Sequence, residues 1–423
     1  MQTLIDMTRE RNNRWTWAAY SIVALVYAFV FFREASLGLL ANDAAKYALN
    51  IPYPHPPLGR WFMLASQALF GTTAFAARLP SFIAELVAIF LFLRCSRNFA
   101  SFLLALGPAF LIWVGQGYQT SFLMLAISLI AFGVMNKGVA RLAWVTAGYL
   151  LVIWTQLQGV LLLPAVLILF WEEWRNESLA FQFDRVPAWL LANVFAHTFL
   201  VALWFIGSPL AVADALALAG SSVGFAQKAA GFAGADFFPL ALLLVALNIA
   251  HLIRWWKEKR LTASTGAMLV SSVILLAYLF SNHASYYLPY LFALCFWSLV
   301  ELRFMSKRRM IALCIALAIF LGAEAYLFGP RLVQAPADRR AETVALREAL
   351  SSHESVMALG FYGYEQPYLF GKMFARFASD LGIRERTDAV VVFRDETLNE
   401  EERAFLDAFP DRQTFGASTL YTR

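Results

Sequence analysis

Asp43 and His55-Pro56-Pro57-Leu58-Gly59 share one short polar stretch. If Asn42-Asp43-Ala44-Ala45-Lys46-Tyr47 is helical, Asp43 lies one turn from both Lys46 and Tyr47, and all three share a face. A carboxylate so placed can take a proton from an attacking group, while a neighbouring cation holds an anion. The prolines of Tyr53-Pro54-His55-Pro56-Pro57 fix the backbone and hold His55 in an extended turn. Arg60 follows directly, and Arg78-Leu79-Pro80-Ser81 opens the next apolar stretch. Asp43 and Lys46 alone would read equally well as a surface ion pair of little value. The ordered set of one acid amid Lys46, His55, Arg60 and Arg78 points instead to a site for a negatively charged ligand.

The elements that must position these residues are membrane helices. Of 423 residues, 60% are hydrophobic and 15% charged, and the mean hydropathy is +0.60. Soluble domains are nearer half apolar and a quarter charged. About eleven stretches are long and apolar enough to cross a bilayer: roughly 15–32, 79–95, 99–115, 120–136, 142–156, 158–173, 187–206, 237–256, 263–281, 286–302 and 310–328. The first is expected to be a retained span rather than a signal peptide, since no small-residue cleavage site follows it.

Basic residues set the orientation. Arg9, Arg11 and Arg14 precede the first stretch. Arg94 and Arg97, Lys137 and Arg141, Arg175 and Arg185, Arg254 to Arg260, and Arg303 to Arg309 follow the even-numbered ones. The positive-inside rule then puts the N-terminus in the cytoplasm, with Asp43, His55 and the C-terminal tail outside. The cations of the first outer turn break that rule. An anion at the membrane face accounts for them, above all a lipid-linked phosphate, whose charge sits at headgroup level and whose tail lies in the bilayer. Leu58 to Phe70 is apolar but too short to cross, and is expected to lie along the outer surface as a helix started by the Pro pair. The Ala- and Gly-rich loop Gly207 to Asp236 reads as a second interfacial helix or a flap.

The expected fold class is therefore an α-helical polytopic membrane protein with outer interfacial helices and a small C-terminal α/β domain. The boundary falls between a membrane domain, 1–329, and an extracytoplasmic domain, 330–423. In the tail, Asp338 to Ser351 and Asn399 to Phe409 read as helices, and Ser355 to Leu359, Ala389 to Phe393 and Thr414 to Thr422 as strands. Cys95, Cys295 and Cys314 match no zinc or redox spacing, and no cluster of hard ligands surrounds Asp43, so no metal or cofactor is expected. The net charge of +5 has a topological explanation and does not call for nucleic acid. Glu85, two turns inside from Arg78, is expected to neutralise it. His197 and His251 read as structural groups within spans, and Glu324 lies near the outer end of the last.

The order Asp43, Lys46-Tyr47, His55-Pro56-Pro57-Leu58, Phe70-Gly71, Arg78-Leu79-Pro80-Ser81 resembles the first outer loop of the GT-C glycosyltransferases that use polyprenyl-phosphate sugars. The protein O-mannosyltransferases and the lipid A aminoarabinose transferases belong to that group. Asn282-His283-Ala284-Ser285-Tyr286-Tyr287-Leu288-Pro289 is similar to the start of a late span in the same proteins. The chain departs from their pattern at Ala44, where Glu is usual. Gly117 to Ser121 lacks an Asp often found there, and Gln156 to Gly159 a Lys.

The resemblance implies an inverting transfer of a sugar from a polyprenyl (undecaprenyl) phosphate to a hydroxyl, with Asp43 as general base. Lys46, Tyr47, His55, Arg60, Arg78, His283, Tyr286 and Tyr287 would hold the lipid phosphate and sugar. The acceptor is left open among lipid A or other glycolipid, polysaccharide and protein. The expected location is a bacterial inner membrane with the site facing the periplasm, since the chain is compact and has no Asn-X-Ser/Thr site in an expected outer loop, Asn176-Glu177-Ser178 falling on the inner side. The other classes open to the sequence are a lipid-linked sugar flippase or transporter and an inactive envelope scaffold.

Overall fold

The computed structural model describes residues 2–36, 42–51, 54–96, 99–111, 114–117, 119–175, 186–213, 306–360, 375–376, 381–393 and 398–423, with 253, 256 and 257. The spans expected over 237–256, 263–281 and 286–302 lie outside the described residues, apart from those three positions, and so does most of the loop Gly207 to Asp236.

Helix α1 (Gln2–Ser36) carries the first apolar stretch. A short helix, α2 (Asn42–Ala48), follows, then α3 (Leu58–Phe70). The bounds of α3 are those expected: Pro57 precedes its first turn, and Gly71, at φ 81°, ends it. Helix α4 (Ala74–Ser96) starts five residues before the expected span, because the Thr73 hydroxyl accepts from the amide of Ala76 at 3.1 Å. Pro80 thus lies inside the helix rather than at its start.

The third span departs from one continuous helix. It is broken into α5 (Phe99–Ala105) and α6 (Pro108–Leu111) at Gly107-Pro108. Pro108 has no N–H to donate. The Tyr27 hydroxyl donates to the Ala105 carbonyl near the break at 2.8 Å.

Helices α7 (Gln119–Val134) and α8 (Gly138–Thr155) pack closely. A Cβ on Gly148 would stand 2.5 Å from the Ala126 carbonyl oxygen, so only glycine permits this approach. A 3-10 turn, Leu157–Leu162, leads into α9 (Leu163–Arg175), and α10 (Val186–Ile206) follows. Beyond the end of α7, Arg141 pairs with Glu173 and donates to the carbonyls of Asn136 (2.8 Å) and Val134 (3.1 Å). Large apolar side chains such as Leu25 and Phe29 of α1 and Phe199 and Leu203 of α10 face outward, as lipid-facing surfaces do. Among the described residues five helices are long and apolar enough to cross a membrane.

The last span and the expected helix after it are one element, α11 (Lys307–Leu350), 44 residues long. It runs unbroken past Pro330 and Pro336. A five-stranded sheet follows, in the order β2-β1-β3-β5-β4. It comprises β1 (Val356–Gly360), β2 (Ala375–Arg376), β3 (Ala389–Phe393), β4 (Asp411–Phe415) and β5 (Ser418–Thr422). Strand β1 is parallel to β2 and β3, while β5 is antiparallel to β3 and β4. The strand expected over Thr414 to Thr422 is instead a hairpin, turning at Gly416 with φ 56°.

Side chains alternate between the faces of this sheet. Val356, Ala358, Ala389 and Val391 pack on Leu346 and Leu350 of α11. Met357, Leu359, Val390 and Val392 pack on Leu398, Leu406 and Phe409, on and beside α13 (Glu400–Leu406). The short α12 (Leu381–Arg386) precedes β3. Asn399 and Glu402 cap α13 reciprocally.

Candidate active site at one end of the first spans

The helix α2 is held down by small residues. Ala44, Ala45 and Ala48 pack on Ala74 and Ala77 of α4. Tyr47 turns inward against Met63, Ala84 and Phe122. The Gln67 amide donates to the Ala48 carbonyl at 2.8 Å and so satisfies the end of the helix. Asp43 occupies the first turn of α2, one turn before Tyr47. Its side chain lies outside the described part of the structure. Lys46 is half-buried on the same helix.

The chain reverses at Asn50, whose φ is 55°, with the Ile51 amide donating to the Lys46 carbonyl at 2.9 Å. Arg60 closes the loop by donating to the Ile51 carbonyl at 3.0 Å. Its Nε is buried with no hydrogen-bond partner. Burial lowers the pKa of the Arg60 guanidinium from its ordinary value, and the neighbouring Tyr47 pulls the other way. Pro56 and Pro57 are buried and His55 is half-buried. Lys46, Tyr47 and Arg60 are thus gathered by α2, α3 and the loop between them. His283, Tyr286 and Tyr287 lie outside the described residues.

Arg78 sits on the other wall, 1% exposed. Among the described residues it donates from Nη1 to the Gly115 carbonyl at 3.2 Å, and its Nε has no partner. Glu85 does not pair with Arg78 as expected. It is 4% exposed and accepts from the Gly115 amide at 2.9 Å and the Ser121 hydroxyl at 2.7 Å. Gly115 and Ser121 went unnoticed as parts of the site. Their one signal in the sequence is the pair of glycines in Gly115-Gln116-Gly117, both at positive φ, 62° and 76°.

Helix α3 is tied to the bundle by aromatics. Trp61 stacks on Trp154 with ring centroids 6.3 Å apart, and Phe62 on Phe122 at 5.4 Å. The Trp154 indole donates to His197 Nδ1 at 3.0 Å, which supplies His197 with a partner inside the bundle. Glu324 of α11 differs: it is 3% exposed and neither carboxylate oxygen has a hydrogen-bond partner. Among the described residues no three His, Cys, Asp or Glu side chains cluster as a metal site requires.

Two solved structures cover nearly the whole chain. The crystal structure of ArnT from Cupriavidus metallidurans in the apo state matches with a TM-score of 0.59 at 14% identity, over 97% of this chain and 98% of that one. The same protein bound to undecaprenyl phosphate matches with a TM-score of 0.57 at 13% identity, over 96% and 97%. The chain has the ArnT fold. This is the GT-C fold that the first-loop residues led one to expect. No protein-family model matches the sequence, and no curated protein is significantly similar to it. Within the ArnT fold, this chain brings α2, α3, the start of α4 and the turn at Gly115 to one end of the bundle.

Proposed function

We propose that the protein is a membrane glycosyltransferase that moves a sugar from a polyprenyl-phosphate donor to a hydroxyl of an extracytoplasmic acceptor. The observation that carries this reading is the state of Arg78. Arg141, beyond the end of α7, has a carboxylate and two carbonyls as partners. Arg78 is more deeply buried and, among the described residues, donates to the Gly115 carbonyl. A buried cation whose Nε has no hydrogen-bond partner is costly unless something anionic completes it. One ArnT structure of this fold is bound to undecaprenyl phosphate, which supports a ligand of that class.

In this mechanism the acceptor hydroxyl attacks the anomeric carbon as Asp43 takes its proton. The bond from that carbon to the phosphate oxygen breaks, and the lipid phosphate leaves with the negative charge. Arg78, Arg60, Lys46 and His55 hold that charge as it develops. Tyr47, Tyr286, Tyr287 and His283 would orient sugar and lipid. A single displacement inverts the anomeric centre. The site faces outward from a bacterial inner membrane, with the N-terminus in the cytoplasm.

The test is mass spectrometry of envelope glycolipids and glycoproteins from a deletion strain, complemented with wild type or Asp43→Asn. Loss of one glycoform that wild type restores and Asp43→Asn does not would name sugar and acceptor together. Equal restoration by both removes Asp43 from the mechanism.

A further inference from the structure

Gly115 is gripped on three sides. Its amide donates to Glu85, its carbonyl accepts from Arg78, and its Cα rests against the Phe31 ring. A Cβ there would stand 2.5 Å from Phe31 Cδ2. That ring is itself stacked on Phe82, with centroids 4.4 Å apart and planes 17° from parallel. The second Glu85 oxygen takes the Ser121 hydroxyl, two residues into α7. One carboxylate therefore staples both sides of the turn between the third and fourth spans. Arg78 and Glu85 lie seven residues apart on α4, two turns along one face. They meet through Gly115, one at its amide and the other at its carbonyl, without direct contact. A direct bidentate Arg–carboxylate pair would occupy two of the guanidinium N–H donors. With a glycine between them, Glu85 holds the turn that Arg78 binds while Arg78 Nε is left for a ligand.

We infer that Glu85 is a positioning residue, which acts on the lipid phosphate through Gly115 and Arg78 and does not touch the ligand. This rests on the phosphate reading above. It is tested by titrating undecaprenyl phosphate into the purified full-length chain in nanodiscs. The proteins are wild type, Glu85→Gln, Arg78→Gln and the double variant, each first shown to be folded by its melting curve. Each single change weakens binding about tenfold, the usual cost of a hydrogen bond to a charged group. The double variant binds no more weakly than Arg78→Gln alone, because the effect of Glu85 passes through Arg78. Glu85→Gln with wild-type affinity overturns the inference, and so do effects that multiply in the double variant. A merely structural Glu85 would lower the melting temperature and leave the affinity of the folded protein unchanged. If Glu85→Gln does not fold, Ser121→Ala, which removes one donor from the carboxylate, replaces it in the same cycle under the same criteria. Failure of wild type to bind undecaprenyl phosphate overturns the phosphate reading itself, a result distinct from either of these.

Discussion

Replacing Gly115 by alanine tests the geometry of its turn without reference to any ligand. Two costs can be worked out. The left-handed backbone, φ 62°, costs an L-residue about 1–2 kcal/mol. The new methyl would lie 2.5 Å from Phe31 Cδ2, and stacking on Phe82 leaves that ring little room to swing. Overpacking of this kind costs roughly 1–3 kcal/mol. Gly115→Ala is therefore expected to destabilise by about 2–5 kcal/mol. Any displacement of the turn adds to that, since Glu85 and Arg78 would lose their shared partner. The assay is unfolding of the detergent-solubilised chain, followed by tryptophan fluorescence, in a double-mutant cycle with Phe31→Ala. Removing the ring abolishes the overlap, so the double variant should be more stable than additivity predicts, by about 1–3 kcal/mol. A Gly115→Ala protein within about 0.5 kcal/mol of wild type, the scale of an ordinary surface change, would refute the close approach. Strict additivity would refute the part assigned to Phe31.

Three further outcomes follow from burial. Glu324→Leu should raise the melting temperature, because a buried carboxylate without a partner opposes folding; a fall would reveal a partner for Glu324. Arg141→Gln should cost about 3–5 kcal/mol by stranding Glu173, and adding Glu173→Gln should recover part of it, as urea unfolding of both variants would show. Asn399→Ala removes the reciprocal cap of α13 and should cost about 1 kcal/mol, read as earlier loss of the C-terminal sheet in hydrogen exchange.

The parts of the fold legible in the sequence are those set by local rules. Helix α3 lies between Pro57 and Gly71, and both ends follow from what proline and glycine do to a backbone. The helical spacing of Asn42 to Tyr47 appears as α2, and the alternation in Ala389 to Phe393 as β3. What escaped depends on partners distant in sequence. Glu85 reaches Gly115 and Ser121, 30 and 36 residues away, and nothing near Glu85 marks either. The break at Gly107-Pro108 was hidden by the apolarity of the stretch around it. Reading Thr414 to Thr422 as one strand overlooked that Gly416 alone can turn a hairpin. Of the candidate site, the cations of the first loop were legible by their breach of the charge rule. The turn that holds one of them was not.

The unbroken α11 makes the last span and the C-terminal sheet a phased pair. Its 44 residues reach ~66 Å at about 1.5 Å each, and Leu346 and Leu350 fix the far end to the sheet. Inserting one residue into the middle of such a shaft would turn the sheet by about 100° about the helix axis. Seven residues, close to two turns, would restore its bearing to within roughly 20° while lifting it about 10 Å. Evolution cannot lengthen this connection freely, as it can a loop: it must change it by whole turns or rebuild the face that the sheet presents to the membrane.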